Sequence, residues 1–141
     1  MSLEATFVDT NILVYAHDSK DETRNLVARK LLADLWKTRS GVLSTQVLIE
    51  FYSVITRKLR PAIPAQEARA AVATYAEWCA IPTDPTLVIE ASQLAEEHTL
   101  SFWDALIVAA AKRSGARLLL SEDLQHGRTF GYLRVENPFQ S

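Results

Sequence analysis

Four carboxylates stand among apolar neighbours, each just after a short β-favouring run or inside a helical one. Asp9 directly follows Thr6-Phe7-Val8. Glu50 sits between Ile49 and Phe51 in an otherwise apolar helical stretch. Asp104 comes three residues after Ser101, at the start of another helical stretch. Asp123 follows the run Leu118 to Leu120, with Ser121 and Glu122 between. A carboxylate surrounded by hydrophobic residues must be paired, hydrogen-bonded or bound to a cation, because burying it alone is costly. The chain offers few cationic side chains beside these acids. Hard divalent cations such as Mg2+ and Mn2+ take carboxylate and water oxygens. Such an ion on a phosphodiester can activate water and stabilise the leaving oxygen. Four carboxylates at one rim therefore suit metal-dependent phosphodiester hydrolysis, and all four are candidates for both catalysis and metal ligation.

Each acid also admits a local role. Asp104 completes an S-x-x-D capping box with Ser101, and it stays ionised near a helix N-terminus. Asp9 can be an Asx-turn residue or a helix N-cap, and Asp123 a turn residue. Glu50 is the hardest to explain locally, although its helix position can be partly exposed. The specificity lies in four acids at matching topological positions, not in any one of them.

These positions imply the elements that hold them. Short runs at Thr6-Phe7-Val8, Gly41-Val42-Leu43, Arg117 to Leu120 and Tyr132 to Val135 read as strands. Between them, apolar residues at helical spacing predict helices over about 12–16, 22–39, 45–59, 65–78, 85–97 and 101–114. Ser44 or Thr45 is a candidate N-cap, Asp84-Pro85 an N-cap with proline at N1, and Gly115 a C′ residue. Short strands alternating with longer helices predict an α/β fold, a three-layer α/β/α sandwich with a mostly parallel central sheet. In such sheets ligands bind beyond the carboxyl ends of the strands, which is where Asp9 and Asp123 fall.

The chain has 141 residues, enough for one domain spanning 1–141, with 48% hydrophobic and 23% charged residues. One cysteine, Cys79, excludes an intramolecular disulfide. The opening residues MSLEATF carry no basic n-region and no long apolar stretch, so no signal peptide is expected. The run Ala105 to Ala111 is far short of the ~20 residues of a membrane span. A cytoplasmic protein without membrane association is the expectation. The net charge is −2. Setting the four acids aside leaves 15 basic against 13 acidic residues, a balance of +2. The mild acidity of the chain is thus concentrated in one proposed pocket.

The segments FVDTNILVYAHD at 7–18, SFWDALIVAAA at 101–111 and LLLSEDLQHG at 118–127 resemble, in order and spacing, the three signature segments of PIN-domain ribonucleases. More narrowly, they resemble the VapC-like toxins of bacterial toxin–antitoxin pairs. The resemblance spans Phe7 to about Val135 and is weak from Arg60 to Glu97. It implies a PIN-like α/β/α sandwich with an acidic pocket for Mg2+ or Mn2+. It carries metal-ligand duty onto Asp9, Asp104, Glu50 and Asp123, and supporting roles onto Thr10, Asn11 and Ser121. Glu122, beside the fourth acid, can share its role. The resemblance further implies an RNA substrate, a cognate antitoxin protein and a homodimer. A stand-alone PIN RNA-processing nuclease without antitoxin, and a non-catalytic PIN scaffold that binds RNA, are the alternatives. A receiver-like signalling domain also carries acids at strand ends, but here Asp9 is followed by Thr10 and no lysine follows Lys112.

Other features have two readings. Arg57, Lys58 and Arg60 complement a helix C-terminus, or contact an RNA backbone. Arg24, Lys112, Arg113 and Arg128 are weaker candidates for that contact. His17, His98 and His126 lack metal spacing and read as surface or capping residues. Trp103, beside Asp104, reads as core more readily than as a base-stacking platform, and Trp36, Tyr52 and Tyr75 as core or partner-facing.

Overall fold

A computed structural model describes residues 4–140; residues 1–3 of the MSLEATF opening, and residue 141, lie outside them. Six strands form one sheet: β1 (Thr6–Val8), β2 (Gly41–Ser44), β3 (Cys79–Ile81), β4 (Leu118–Leu120), β5 (Thr129–Phe130) and β6 (Leu133–Glu136). The helices are α1 (Thr10–Ala16), α2 (Glu22–Thr38), α3 (Thr45–Arg57), α4 (Ala65–Tyr75), α5 (Pro85–His98) and α6 (Phe102–Arg113). The spatial order is β3-β2-β1-β4-β6-β5, parallel except for the β5–β6 pair. Helices flank this sheet, as the α/β/α expectation requires. No helix among the described residues is long and apolar enough to cross a membrane.

The chain winds outward from β1 through β2 to β3, then returns to place β4 on the other side of β1. The direction of winding therefore reverses between β1 and β4. That reversal opens a crevice beyond their carboxyl ends. The register is tight there: Val8 pairs with Leu120, and the Asp9 N–H donates to the Leu120 carbonyl at 3.0 Å. Whatever follows Val8 and Leu120 must meet in that crevice.

Burial fixes the frame. Phe7, Val8, Leu43, Leu119 and Val135 are fully buried, as strands covered on both faces demand. Every residue from Ala105 to Ala111 is buried, so α6 is enclosed almost all round. Its alanines let it lie close to its neighbours. The local signals behave as expected. Asp84 accepts from the Leu87 N–H at 2.8 Å with Pro85 at N1, and Gly115 takes φ +78° after α6. Ser44 stands at the N-cap of α3, without a side-chain capping bond.

Two elements differ from the sequence expectation. The helix predicted to Trp78 ends at Tyr75, passes through a 3-10 turn at Ala76–Trp78 and becomes the edge strand β3. Trp78 then lies over the sheet edge, its ring 4.3 Å from that of Trp36. A Cβ at Gly41 would come within 2.8 Å of the Trp78 ring, so this close approach requires glycine. The second addition, β5, is a two-residue strand paired antiparallel with β6. Both strands are too short to show alternation in the sequence.

Candidate active site

The crevice between β1 and β4 gathers the predicted polar residues. Asp9 is buried, the N-cap of α1 and the residue after β1 at once. Its Oδ1 accepts from the Thr10 N–H at 2.7 Å, and its Oδ2 from Ser121 Oγ at 2.8 Å. The capping reading and the site reading of Asp9 thus describe the same carboxylate. Ser121, fully buried at the end of β4, also accepts from the N–H groups of Asp123 (3.1 Å) and Leu124 (3.4 Å). One hydroxyl therefore holds the first acid and shapes the turn that presents the fourth.

Asn11 completes that side. Its Nδ2 donates to Asp123 Oδ2 at 3.0 Å, and its Oδ1 accepts from the Glu122 N–H at 3.2 Å. On the other side, Thr10 Oγ1 donates to Glu50 Oε2 at 3.3 Å. Consecutive residues of the D-T-N segment thus reach three acids: Asp9 itself, Glu50 through Thr10, and Asp123 through Asn11.

Burial is the main reason that Asp9 ionises with difficulty: its pKa is pushed up from 3.8 to about 7. The bonds from Ser121 and Thr10 pull against that rise, while the charges of Asp123 and Glu50 add to it. Three carboxylates are therefore close enough to repel, and a cation between them would reverse the repulsion. Oxygen donors with excess negative charge suit Mg2+ or Mn2+. Among the described residues, no three acidic, imidazole or thiol side chains stand together as a ready ligand group for one ion. The carboxylate oxygens are the donor type that such an ion takes.

Asp104 makes no direct contact with the other three acids. Its N–H donates to Ser101 Oγ at 3.1 Å, so the capping box forms on its Ser101 side. Its half-buried carboxylate accepts no hydrogen bond from a described residue. The link to the other acids is Gln46, which sequence reasoning did not single out. Gln46 Nε2 donates to Glu50 Oε1 at 2.7 Å and to the Trp103 carbonyl at 3.3 Å. Gln46 is only 6% exposed, and its Oε1 has no partner among the described residues. An unpaired buried acceptor costs about 1–3 kcal/mol, a cost an apolar residue would avoid. The signal that could have found Gln46 was its spacing, four residues before Glu50 on one helical face.

Glu122 does not join the cluster. Its Oε1 accepts from the Tyr15 hydroxyl at 2.6 Å and its Oε2 from Arg24 Nε at 2.7 Å. Burial and the bond to Glu122 push the Tyr15 pKa up to about 12. Arg24 lies 5.5 Å from the Tyr15 and Phe139 ring centres. Glu122 thus ties the β4 turn to α1 and α2, and only its backbone N–H serves the site. Arg24 is engaged there as well.

Most of the basic residues have structural partners too. Arg60 Nη1 donates to the carbonyls of Arg57 (2.9 Å) and Leu59 (3.0 Å) after the end of α3. Arg57 and Lys58 are exposed about two turns beyond Glu50, complementing the helix dipole. Arg113 pairs with Asp84 and Glu90, and Arg128 donates to the His98 carbonyl. His17 caps α1, its Nε2 lying 3.0 Å from the Tyr75 hydroxyl, and burial lowers its pKa. Tyr75 is buried, and Trp36 and Tyr52 are half-buried against the core. Trp103 departs from its core reading: it is 66% exposed.

Known proteins share this arrangement of elements. Residues 6–129 match the family model of the PIN domain. Solved structures share the fold, among them three toxin or toxin-complex structures. The VapC20 toxin of Mycobacterium tuberculosis, described as cleaving the sarcin–ricin loop, matches at TM-score 0.65 and 21% identity over 84% of this chain and 90% of its own. VapBC2 from Rickettsia felis, bound to a promoter DNA fragment, matches at 0.64 and 19% over 94% and 98%. DNA-bound VapBC from Salmonella typhimurium matches at 0.65 and 18% over 96% and 99%. At these identities the likeness is one of fold. No curated protein sequence matches the chain.

Proposed function

The chain belongs to the PIN-domain family, and on that premise we propose that it is a metal-dependent endoribonuclease, the toxin of a toxin–antitoxin pair. The observation that carries the proposal is the buried Asp9, whose two oxygens are held by Thr10 and Ser121 while Glu50 and Asp123 crowd its charge. Uncompensated carboxylates at the switch point of a parallel sheet are a liability for stability and an asset for binding a cation.

Asp9, Asp104, Asp123 and Glu50 would hold Mg2+ or Mn2+. Bound there, the ion would supply positive charge against the scissile phosphate and the leaving oxygen, and would lower the pKa of a water. The chain's own part is preorganisation. Thr10 N–H and Ser121 fix Asp9, Asn11 fixes Asp123, and Thr10 with Gln46 fixes Glu50. Carboxylates already held need little reorganisation when charge develops during reaction.

The likeness in fold to structures that contain VapC toxins and their antitoxin complexes supports a protein antitoxin as partner and an RNA substrate; a homodimer is part of the same proposal and rests on the family resemblance alone. A cytoplasmic setting is part of the same proposal. The test is cleavage of total cellular RNA by the purified protein, with Mg2+, with Mn2+ and with chelator. Cleavage that needs the ion and disappears in Asp9→Asn and Asp104→Asn is expected. Full activity of Asp104→Asn with Mg2+ would sink the assignment. RNA binding without cleavage under every condition would leave the scaffold alternative.

A further inference from the structure

Two apolar side chains stay in water immediately beside the proposed acids. Ile49, which precedes Glu50 on α3, is 63% exposed, and Trp103, which precedes Asp104 on α6, is 66% exposed. The two helices are joined at this point by Gln46, bonded to Glu50 and to the Trp103 carbonyl. An isolated exposed hydrophobe is ordinary, but here both flank the same acidic cluster. The Trp103 ring lies edge-on to Phe102, with centroids 5.6 Å apart, and most of its indole surface is open. The other two tryptophans are different: Trp36 and Trp78 stack on each other, and Trp78 is 6% exposed.

We propose that Trp103 is the platform on which one unstacked base of a single-stranded RNA lies, with the neighbouring phosphate at the acidic cluster. The inference rests on the ribonuclease reading of that cluster and names the form of its substrate. A nucleotide offers both an anion to a cation-loaded acidic cup and a π face to the indole beside it. An apolar helix from a protein partner offers no anion to the cup. Base–aromatic stacking tolerates any base and requires the base to be out of a duplex, so the site selects single-stranded loops or ends. Ile49 supplies an apolar edge on the other helix.

The probe is a 5′-labelled octa-adenylate, titrated against the otherwise wild-type protein in Ca2+ buffer, where an oxygen-seeking ion that acidifies water poorly can occupy the acidic cluster without supporting cleavage. Trp103 is the tryptophan open to solvent, so stacking is expected to quench the intrinsic emission as RNA binds. Adding Trp103→Ala should weaken binding at least about fivefold, the lower end for a lost base stack. Trp103→Phe should keep most of the affinity. An octamer of abasic nucleotides should bind weakly and equally to all three proteins. Octa-adenylate affinity that is the same with and without the Trp103→Ala change overturns the platform. So does a Trp103→Ala protein that falls from dimer to monomer in sedimentation while its RNA affinity is unchanged, because a second copy then covers this face. Wild-type protein that never cleaves RNA, with the binding differences intact, refutes the nuclease reading and leaves the platform standing.

Discussion

Asp9→Asn in metal-free protein tests the energetic logic of the site apart from its activity. Folding raises the Asp9 pKa from 3.8 to about 7, chiefly through burial. Below pH 4 the group is protonated in both states and costs nothing. Between pH 4 and 7 the unfolded chain releases its proton while the folded chain keeps it, so stability falls as pH rises through that window. Above pH 7 the loss is complete, and a shift of this size corresponds to about 4 kcal/mol as a ceiling. Asparagine removes the titration. Its oxygen still accepts from the Thr10 N–H, but its amide now donates toward Ser121 Oγ, which already accepts from Asp123 and Leu124. That mismatch costs about 1–2 kcal/mol. The variant is therefore expected to be more stable than wild type by about 2–3 kcal/mol at pH 8 in chelator, and no more stable at pH 4. Urea denaturation at pH 4, 6 and 8 measures the difference, and acids remote from Asp9 cancel between the two proteins. Saturating Mg2+ should restore the wild type, by about 2.7 kcal/mol at one hundred times Kd, and leave the variant nearly unmoved. A stability difference that does not change with pH, or a wild type more stable than the variant at pH 8 without metal, would refute the reasoning. The variant should also be inactive, so stability and function trade against each other at one oxygen.

Gln46→Met removes both bonds of the amide and its unpaired oxygen; cleavage rate should drop at least about tenfold while urea stability changes by no more than about 1 kcal/mol. Glu122→Gln and Asp123→Asn, at adjacent positions, should diverge. The first keeps RNA cleavage and lets the Tyr15 pKa fall back from about 12 toward 10 in a spectrophotometric titration. The second loses cleavage and leaves Tyr15 unchanged. Gly41→Ala forces a Cβ to within 2.8 Å of the Trp78 ring and should cost about 1–3 kcal/mol in urea denaturation, with kcat per folded molecule retained.

Features governed by a few neighbouring residues were legible in the sequence. The Ser101–Asp104 and Asp84–Leu87 caps each span three residues, and a helix start is recognised by that spacing alone. The enclosed helix over 102–113 followed from an unbroken apolar run. The alternation of short strands with longer helices pointed to the parallel sheet, and the rule for such sheets put Asp9 and Asp123 at its carboxyl edge. Glu50 stood out because a charge in an apolar helix needs a reason.

Other features depend on which distant residues share a space. β3 is three residues long and β5 two, below the length at which period-two alternation becomes visible. Glu122 and Asp123 are equivalent on paper. Only the packing of the β4 turn against α1 and α2 sends one to Tyr15 and Arg24, 107 and 98 positions away, and the other to Asn11, 112 away. Gln46 gains its meaning from the approach of α3 to the start of α6, and Trp103 stays exposed because no described element covers that side of α6. The acids, the caps and the class of sheet could be read from the chain alone, since they follow from local hydrogen bonding and periodicity. Which polar groups hold each carboxylate, and which face stays open, came only with the folded arrangement. Winding outward from β1 and back to β4 brings together residues that no local pattern links.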